Sequence, residues 1–425
     1  MTTLMMLDFK DLESCRICGG KFFSDKLVLK DSPLANELLI SREAALKAEK
    51  FPLQVVMCSK CSHFQLKQIV SPNRLFSNYV YKSGTSEFFK EHFRSLAKVI
   101  LEINESKPLN VLEIGSNDGT LLDELVKLEI SCLGVEPSQQ LVDECLYRGL
   151  DVIHGFLNRD LVKELIRIRG SFNVVVGNNV FAHIDDLLGA FKNVNQLLGP
   201  KGLFIFEVAD FAQIQKKGIF DSIYHEHMSF HTLTGLKLLA ELSDFTIEGF
   251  SYVDSHGGSF RFFLRKGFCE SKSEKILDQF EREASLGLNS PAVLTQLQEN
   301  IASRRTAVSC FIQKREERRI LVGSGAPAKA VTFISEMGLE NAGIMTILDD
   351  NPSKQGKYLP SSGIPITSKE ELIRNLRDLK KDEEPLDFMI FPWNLGAELV
   401  PKLKAWAPNE SRIITFFPEL QIISL

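Results

Sequence analysis

From residue 109 onward, the sequence alternates between short apolar runs and amphipathic segments. Residues 109–114 and 131–136 have the length and composition of buried strands, and residues 121–128 between them have the apolar spacing of a helix. Strands that alternate with helices predict a mostly parallel, doubly wound sheet, so the expected fold class is α/β. The same pattern predicts helices at 139–147, 161–168 and 186–198, strands at 151–154, 172–177 and 202–209, and two strands without a helix between them at 245–252 and 259–265.

Length, composition and charge exclude several classes of protein. The 425 residues suggest two to four domains, and 44% hydrophobic with 25% charged residues exclude global disorder and fibrous sequence. A formal net charge of -5 gives no general attraction to nucleic acid or to an anionic membrane. No apolar stretch approaches the ~20 residues that span a bilayer, and Asp8, Asp11 and Glu13 interrupt a signal-peptide core. We therefore expect a cytoplasmic monomer without membrane or nucleic-acid partners.

Four of the eight cysteines form two C-x2-C pairs, Cys15 with Cys18 and Cys58 with Cys61. Two thiolates from one tight turn reach a single ion, and two such turns complete the tetrahedral four-sulfur shell that suits zinc. The insert between the pairs is longer than in a short zinc ribbon, and residues 34–50 within it look helical. We predict one structural zinc ion per chain, because four sulfur ligands leave no open position for catalysis. Free thiols or a redox C-x-x-C are the alternatives.

The first predicted strand of the sheet ends in a glycine loop, Gly115-Ser-Asn-Asp-Gly119, that opens a helix. The loop has neither the Gly-Lys-Ser/Thr ending of a Walker A motif nor the G-x-G-x-x-G of a pyrophosphate binder. Glu113 would repel phosphate but suits a cationic amino-acid group, and Glu136, at the end of the second strand, can accept both hydroxyls of a ribose. An ordinary strand-to-helix turn is the alternative. The combination resembles the class I S-adenosylmethionine-dependent methyltransferases, although Asn117 stands where their middle glycine is common.

Three further polar segments follow in the chain. They are Asn178-Asn179 with His183 at the end of the fourth strand, Tyr224-His225-Glu226-His227, and His256-Gly-Gly-Ser-Phe-Arg261. Together with the cysteine pairs and the glycine loop, these segments resemble the deoxysugar C-methyltransferase family over residues 15–394. That resemblance implies an N-terminal zinc module, a central methyltransferase domain and a C-terminal Rossmann-like domain. It also implies methyl transfer from S-adenosylmethionine to a nucleotide-linked 4-keto-6-deoxyhexose, for which we expect a dTDP link.

The resemblance also carries residue roles onto this sequence. The expected catalytic residues are His227 as the base, Tyr224 as a donor to the developing oxyanion, Glu226 as an orienting group and His225 as a competing base. The expected cofactor-binding residues are Glu113, Gly115, Asn117, Gly119, Glu136, Phe156 and Asn178. The expected substrate-binding residues are Tyr79, Tyr81, Asn179, His183, His256, Arg261, Lys329 and Lys354.

The Tyr-His-Glu-His segment also fits two non-catalytic interpretations. Histidines two residues apart on a strand point the same way, so His225 and His227 could hold a second metal, but they lack the i,i+4 spacing of a catalytic zinc site. Hydrogen-bonded structural histidines are the second interpretation. A catalytic cluster is favoured because several polar groups are costly to bury without a function. Deprotonating a carbon beside a ketone needs a base near neutral pKa and a donor for the enolate oxygen, and histidine suits the first task.

The sequence departs from the family pattern at two further places. Phe230-His231 stands where many relatives carry Tyr-Phe, which removes a tyrosine hydroxyl and puts the sugar specificity in doubt. Ser324 replaces the tyrosine that most relatives show in the loop before Lys329. In the same region, residues 268–318 predict a helical connector, and a second strand-glycine-helix pattern begins at residue 319.

That last pattern predicts a Rossmann-like domain without the third glycine of the dinucleotide fingerprint. Its first helix N-terminus, Lys329 and the Lys354 loop suit a nucleotide diphosphate. Asp349 lies near the ribose position of a dinucleotide site, which leaves an NAD-dependent oxidoreductase open. A methyltransferase for a different small molecule and a catalytically dead zinc-module binding protein stay open as well. The predicted divisions are a zinc module with a substrate-side segment at 1–85, a methyltransferase domain at 86–267, a connector at 268–318 and a C-terminal domain at 319–425.

Overall fold

The computed structural model describes residues 9–76, 82, 84, 86–103, 109–267 and 274–425. Its N-terminal part is a small β module that carries both cysteine pairs. The elements of this module are β1 (Phe9–Asp11), β2 (Phe23–Ser32), α1 (Arg42–Leu46), β3 (Phe51–Cys58), β4 (Phe64–Leu66), β5 (Gln68–Val70) and α2 (Pro72–Phe76). Strands β2, β3 and β4 pair antiparallel, and β1 pairs with β5.

The prediction of a helical insert at 34–50 is wrong, because only the five residues of α1 are helical there. The reason is a tertiary contact. The backbone N–H of Leu39 donates to the carbonyl of Tyr358 at 3.0 Å, and the N–H of Tyr358 donates to the carbonyl of Leu39 at 2.8 Å. The C-terminal domain therefore pairs with the chain at Leu39, just before α1, and this contact overrides the local helix propensity there.

The central domain is a seven-stranded sheet with helices on both faces. Its elements are α3 (Glu87–Ile103), β6 (Asn110–Ile114), α4 (Thr120–Lys127), β7 (Ser131–Glu136), α5 (Gln139–Tyr147), β8 (Val152–His154), α6 (Arg159–Arg169), β9 (Phe172–Asn178), α7 (Leu187–Leu197), β10 (Leu198–Ala209), α8 (Phe211–Lys217), β11 (Ser229–Phe230), α9 (Leu233–Leu242), β12 (Phe245–Val253) and β13 (Ser259–Lys266). The sheet order is β12-β13-β10-β9-β6-β7-β8, in which only β13 runs antiparallel to its neighbours. The predicted doubly wound, methyltransferase-type sheet is confirmed.

The strand order explains where a ligand would bind. The chain runs outward from β6 through β7 to β8 and then returns to β9 on the other side of β6. Ligands of open α/β sheets bind beyond the carboxyl ends of the strands at such a reversal. The glycine loop follows the carboxyl end of β6, and Asn178 ends β9 with Asn179 directly after it, so both predicted segments meet at this crevice.

The C-terminal part contains two helices and a second sheet. Its elements are α10 (Glu274–Ser285), α11 (Ala292–Lys314), β14 (Ile320–Ser324), α12 (Ala328–Met337), β15 (Ile347–Leu348), β16 (Ile366–Thr367), α13 (Lys369–Asp378), β17 (Leu386–Ile390), α14 (Gly396–Lys404), β18 (Arg412–Thr415) and β19 (Gln421–Ser424). The sheet order is β16-β15-β14-β17-β18-β19, parallel except for β19. The predicted Rossmann-like domain is confirmed.

Strand β11 ties the central domain to the N-terminal module. It leaves the turn that carries His227 and pairs antiparallel with β4, so that Ser229 lies opposite Gln65 and Phe230 opposite Phe64. One continuous apolar core then includes side chains of β3, α8, α11 and the C-terminal sheet. Among the described residues, no helix is both long and apolar enough to cross a membrane.

Candidate active site

A cavity of 1340 Å³ lies where the three parts of the chain meet. The N-terminal module contributes Asn36 to its wall, and the C-terminal domain contributes Lys329 and Lys354. The central domain contributes the loops that follow its parallel strands and the turn with Tyr224 and His227. Pockets for one drug-sized ligand have volumes of about 300–1,000 Å³, so this cavity has room for two ligands at once.

The glycine loop after β6 forms one end of the cavity. Gly115 has φ +67, and a Cβ there would lie 2.5 Å from Cγ2 of Val180, so both the backbone conformation and the packing require glycine. Asn117 also has a positive φ, of 50, and its backbone N–H donates to Oε2 of Glu136 at 2.9 Å. Both Gly115 and Asn117 line the cavity, as predicted for cofactor-binding residues.

Glu136 is a buried carboxylate that faces the same end of the cavity. Its Oε1 accepts the N–H of Ser138 at 2.9 Å, and its Oε2 accepts the N–H of Asn117. Burial raises the pKa of Glu136, while these two backbone hydrogen bonds act in the opposite direction. Each oxygen keeps a second lone pair, which is the arrangement that two adjacent hydroxyls of a ribose require.

Glu113 lies just behind this wall. It borders a cavity of 20 Å³ that it shares with Gly115, Asn117 and Asn178. Burial raises the pKa of Glu113 well above its usual range, and the charge of Asp118 acts in the same direction. Within the described residues, Oε2 of Glu113 and both amide atoms of Asn178 have no hydrogen-bond partner inside 3.5 Å, although Asn178 is near enough to Glu113 to act against the rise of its pKa. Buried polar atoms are rarely left unpaired, so these atoms suit a polar, cationic ligand group.

Of two other predicted cofactor residues, Phe156 lines the cavity and Gly119 does not. Phe156 is 41% exposed and lines the cavity in the loop after β8. Gly119 is the N-cap of α4 with φ 72 and lies outside the cavity lining. A Cβ at this position would lie 2.5 Å from Cδ1 of Leu150, so packing of the turn against Leu150 explains the glycine.

The turn before β11 presents a hydrogen-bonded tyrosine-histidine pair to the cavity. The hydroxyl of Tyr224 lies 2.8 Å from Nε2 of His227, and Nδ1 of His227 lies 2.6 Å from the carbonyl oxygen of Ser222. Because a carbonyl only accepts, Nδ1 carries the proton, and Nε2 is the acceptor for the tyrosine hydroxyl. Burial holds the pKa of His227 well below its usual range, and the charge of His183 acts in the same direction. The imidazole is therefore neutral at pH 7 and able to take a proton.

Two more histidines complete this part of the wall. The rings of His183 and His227 lie 4.9 Å apart, edge to face. His256 packs against Phe89 of α3 at 5.2 Å. Burial lowers the pKa of His183 to about 4 and that of His256 to about 3. Both line the cavity together with Asn179, whose backbone N–H donates to the carbonyl of Glu207 at 2.8 Å.

His225 and Glu226 point away from the cavity, toward the N-terminal module. The expectation that His225 and His227 point the same way is wrong, because this segment is a turn in which the N–H of His227 donates to the carbonyl of Tyr224 at 2.8 Å. Nε2 of His225 lies 3.2 Å from the carbonyl of Pro52. Oε1 of Glu226 accepts from Nδ2 of Asn36 at 3.0 Å, and burial raises the pKa of Glu226 to about 7. Neither side chain lines the cavity.

Arg261 also lies outside the cavity, contrary to its expected role as a substrate residue. It stands opposite Glu207 in the register of β13 and β10, and its Nε donates to Oε1 of Glu207 at 2.5 Å. The other oxygen of Glu207 lies 2.7 Å from Nε2 of His92 on α3. This buried cluster joins α3 to the sheet, so the guanidinium is engaged within the protein.

The two lysines of the C-terminal domain do line the cavity. Nζ of Lys329 donates to Oδ1 of Asn394 at 3.1 Å and lies 4.5 Å from the ring centroid of Trp393. Nζ of Lys354 donates to the carbonyl of Ala326 at 2.9 Å and lies 3.3 Å from Oδ2 of Asp349.

Asp349, the residue on which an NAD site would depend, has both oxygens engaged. In addition to Lys354, its Oδ2 accepts the N–H of Ala326 at 2.8 Å, and its Oδ1 accepts the N–H of Asn351 at 2.9 Å. Glu136 also accepts two backbone N–H groups, but Oδ2 of Asp349 has Lys354 as a further partner, which leaves this oxygen no lone pair for a ribose hydroxyl.

Tyr79 and Tyr81 lie outside the described residues. Sequence reasoning did not identify Asn36, which the N-terminal module contributes to the cavity wall, or Trp393, whose Nε1 donates to Oδ2 of buried Asp221 at 3.0 Å. An isolated asparagine gives no sequence signal. The tryptophan is one of only two in the chain, and that rarity was the one available hint.

The four cysteines of the C-x2-C pairs come together at one point. Their sulfurs all lie within 4.8 Å of one another, with Cys15 and Cys61 at 3.6 Å and Cys18 and Cys58 at 3.5 Å. Zinc–sulfur bonds of about 2.3 Å in a tetrahedron require sulfur separations of about 3.8 Å. A Cβ at Gly20 would lie 3.3 Å from the sulfur of Cys18, so the glycine leaves room for the cluster. The donor set and its spacing fit a zinc ion.

Comparison with protein families covers nearly the whole chain in three consecutive matches. Residues 15–76 match a zinc binding domain, residues 88–248 match a methyltransferase domain, and residues 254–418 match a C-methyltransferase C-terminal domain. The third match begins at residue 254, before the predicted connector at 268–318 and well before the predicted C-terminal domain at 319–425.

Individual proteins are also similar to this chain. The chain is 28% identical to the C-methyltransferase NovU of Streptomyces niveus over 418 residues, which are 98% of each chain. It is 36% identical to an uncharacterized methyltransferase of Bacillus pumilus over 73 residues, 17% of this chain and 34% of that protein. Solved structures with similarity include the PH0226 protein of Pyrococcus horikoshii (TM-score 0.36, 19% identity, 46% and 97% of the two chains). Magnesium protoporphyrin IX methyltransferase of Synechocystis is another (TM-score 0.34, 13% identity, 42% and 83%).

Proposed function

The chain belongs to the S-adenosylmethionine-dependent C-methyltransferases that carry an N-terminal zinc-binding module, and we propose that its acceptor is a nucleotide-linked 4-keto-deoxysugar. The methyl group would go to a carbon beside the ketone. The observation that carries the proposal is the neutral Tyr224–His227 pair, which faces a cavity large enough for a cofactor and a second ligand. Such a pair supplies a base and an adjacent hydroxyl donor, which are the two groups that enolate formation needs.

S-adenosylmethionine would supply an electrophilic methyl group on a sulfonium. Glu136 is placed to accept the ribose hydroxyls, and Phe156 to pack against the adenine. The unpaired atoms of Glu113 and Asn178 suit the ammonium group of the methionine part, directly or through a water in the 20 Å³ cavity. Gly115 leaves space for the ligand where a side chain would collide with Val180.

The nucleotide part of the acceptor would lie against the C-terminal domain. The N-terminus of α12 has no side-chain cap, so its first backbone N–H groups and its dipole favour an anion such as a diphosphate. Lys354 lies beside this terminus through its hydrogen bond to Ala326. Trp406 lines the same end of the cavity and offers a face on which a base can stack. A dTDP link remains our expectation for the nucleotide.

His227 would remove the proton from the carbon beside the ketone. The lone pair of Nε2 is taken by the hydroxyl of Tyr224 in the structure, so the hydroxyl has to turn away before a C–H group can approach. The ketone oxygen is the acceptor toward which we expect it to turn. Proton removal and stabilisation of the enolate oxygen would then be linked in one movement. The sugar would lie in the cavity against the wall formed by Asn179, His183 and His256.

The N-terminal metal would be structural. Four thiolates at Cys15, Cys18, Cys58 and Cys61 would hold one zinc ion about which the two turns fold. Arg16, between two of these ligands, donates from Nε to Oδ1 of Asp185 at 3.1 Å, and Asp185 lines the cavity. The metal site would thus fix one wall of the active site without touching the substrate.

A panel of nucleotide 4-keto-hexoses tests the proposal. Each is incubated with the protein and S-adenosylmethionine, and mass spectrometry should show a gain of one methyl group on at least one of them. Calorimetry of S-adenosylmethionine alone separates the competing functions. Saturable binding without any methylated sugar would favour a different small-molecule acceptor, and absence of binding would favour a catalytically dead protein. Retention of NAD by the purified protein would favour the oxidoreductase.

A further inference from the structure

We propose that Lys329 neutralises the negative charge that develops on the ketone oxygen of the acceptor, and that it is not a ligand of the diphosphate. This inference rests on the proposed function and assigns a catalytic task to a residue of the C-terminal domain. It replaces the expectation, drawn from the position of Lys329 at the start of α12, that its side chain helps to hold the phosphates.

The side chain of Lys329 contacts the segment that follows β17. Its Nζ donates to Oδ1 of Asn394 at 3.1 Å and lies over the ring of Trp393 at 4.5 Å, both in the segment that follows β17. Within the described residues, Lys329 forms no ion pair with a carboxylate inside 4.0 Å. The other lysine, Lys354, already has a carboxylate partner in Asp349 at 3.3 Å. Lys329 is therefore the one of the two whose charge is not neutralised by direct contact.

Trp393 holds this lysine against the catalytic turn of the central domain. Its Nε1 donates to Oδ2 of Asp221 at 3.0 Å, and a Cβ at Gly257 would lie 2.3 Å from its ring. Asp221 is next to Ser222, whose carbonyl holds Nδ1 of His227, and Gly257 is next to His256. The indole thus contacts the segments that carry two of the cavity's histidines, His227 and His256, and Lys329 lies over its ring.

The charges in this region agree with the geometry. After burial, the positive charge of Lys329 is the largest influence that lowers the pKa of His256, and it also acts to lower the pKa of His227. Burial lowers the pKa of Lys329 itself, while the charge of Asp221 acts to raise it. Lys329 is partly buried in the cavity wall, and a cation in such a position without a contacting anion carries a cost. An oxyanion that forms within the same cavity would remove that cost at the moment when the reaction needs it.

The reaction moves one proton and then one methyl group. The C–H bond beside the ketone breaks, and its proton goes to Nε2 of His227, which becomes an imidazolium. The electron pair forms the carbon–carbon double bond, and the carbonyl pair moves to oxygen, where Tyr224 donates a hydrogen bond and Lys329 supplies the positive charge. When the enolate carbon takes the methyl group, the carbon–sulfur bond of the donor breaks, and S-adenosylhomocysteine leaves with the pair. Lys329 keeps its own protons throughout.

The test separates chemistry from phosphate binding. Deuterium exchange is measured by mass spectrometry in heavy water, without a methyl donor, at the carbon beside the ketone of thymidine diphosphate-linked 4-keto-6-deoxyglucose. Binding of thymidine diphosphate is measured by calorimetry. Lys329→Met should slow exchange by ~10²–10³-fold, the usual effect of removing one oxyanion donor, and change thymidine diphosphate affinity less than two-fold. Lys354→Met should show the opposite pattern, with the larger effect on thymidine diphosphate affinity.

Lys329→Ala with added ethylammonium is a second variant that does not depend on the fit of methionine. Recovery of exchange with rising ethylammonium concentration is expected. Exchange at the wild-type rate in Lys329→Met, or an affinity for thymidine diphosphate that falls at least ten-fold while exchange at saturating keto-sugar is kept, would overturn the inference. If wild-type protein neither exchanges nor methylates any keto-sugar of the panel, it is the proposed function that fails, and this inference fails with it.

Discussion

The hydrogen bond between Tyr224 and His227 decides which histidine of the segment is available for chemistry. His227 presents Nε2 to the cavity, whereas His225 packs against Phe51 at 5.8 Å and bonds to Pro52. Two histidines that are two residues apart in one motif therefore face two different surroundings. The sequence alone left both as candidate bases, because the direction of a side chain in a turn depends on backbone angles that the motif does not reveal.

Replacing His227 by Asn removes the basic nitrogen while keeping a polar side chain. We expect turnover to fall by ~10²–10⁴-fold, the usual contribution of a general base, with little change in S-adenosylmethionine affinity. Steady-state kinetics and calorimetry measure the two quantities. His225→Asn is the matched control. It should lower the melting temperature, because His225 packs against the N-terminal module, and it should leave turnover far closer to the wild-type value than His227→Asn does. A reversed result would move the base to His225.

The proposed cofactor role of Glu136 gives a prediction about binding. Glu136→Ala should weaken S-adenosylmethionine by about 1–3 kcal/mol, because charge-assisted hydrogen bonds to the ribose are lost. The exposed Glu164 on α6 provides the control, since Glu164→Ala removes the same charge far from the cavity lining. Calorimetry on both variants is the measurement. Equal affinity in both would mean that the ribose lies elsewhere.

Glu226 gives a prediction about pH. Its pKa rises from an ordinary 4.5 to about 7 on folding because it is buried, so the folded state binds the proton more tightly than the unfolded state. Stability is then lost as pH rises from about 4.5 to about 7, by up to ~3 kcal/mol from this group. Glu226→Gln keeps the oxygen that accepts from Asn36 and cannot ionise.

Melting temperatures of wild type and Glu226→Gln should accordingly be similar at pH 5 and differ at pH 8, where the variant is the more stable. Wild-type stability that rises relative to the variant between these pH values would contradict the sign of the shift. The measurement needs no substrate, so it is independent of any catalytic role of Glu226.

At the scale of elements, the sequence predicted the regular parts of the central domain well. Strand β7 and helix α5 have the bounds expected from their apolar patterns, since each buries a face against the same sheet. The segment 34–50 was predicted less well, because Leu39 within it forms a β-bridge with Tyr358 of the C-terminal domain. A local sequence pattern indicates only the secondary structure that a segment favours by itself. It cannot reveal the pairing of Leu39 with a residue more than 300 positions away.

The cysteine turns are a second element with a testable property. Cys58→Ser should lose the zinc that elemental analysis finds in the wild type, about one per chain, and should melt at a lower temperature. Cys310→Ser is the matched control, because Cys310 is exposed on α11 and lies outside the cluster. Zinc content that survives replacement of all four clustered cysteines would show that the ion is held elsewhere.

At the scale of the whole molecule, the site is assembled from distant parts of the sequence. Asn36, Glu136, His227 and Lys329 come from three domains and line one cavity. Motif matching identified the last three because each belongs to a recognisable segment. Motif matching wrongly placed Arg261 in the substrate site. The motif does not reveal that Glu207 lies opposite Arg261 on the neighbouring strand and binds its guanidinium. Which residues form the site depends on how the three domains pack together, and no single sequence motif contains that information.

The contact between Trp393 and Asp221 joins two of these domains, and its strength is measurable. Trp393→Phe keeps a ring but removes the N–H that Oδ2 of Asp221 accepts, while Oδ1 has no partner among the described residues. Stability in urea should fall by about 1–3 kcal/mol. Combining the change with Asp221→Asn in a double-mutant cycle should show coupling, and strict additivity would mean that the bond contributes nothing.

The pairing of β11 with β4 constrains how such enzymes could be recombined. The turn that carries His227 is held on one side by the carbonyl of Ala182, which accepts from the N–H of Met228 at 2.7 Å, and on the other by β4 of the N-terminal module. A chimera cut at the apparent domain boundary near residue 86 would pair this turn with a foreign strand. A chimera between two relatives should therefore take on the acceptor preference of the donor protein when the N-terminal module and the turn come from the same protein. It should fail to do so when they come from different proteins.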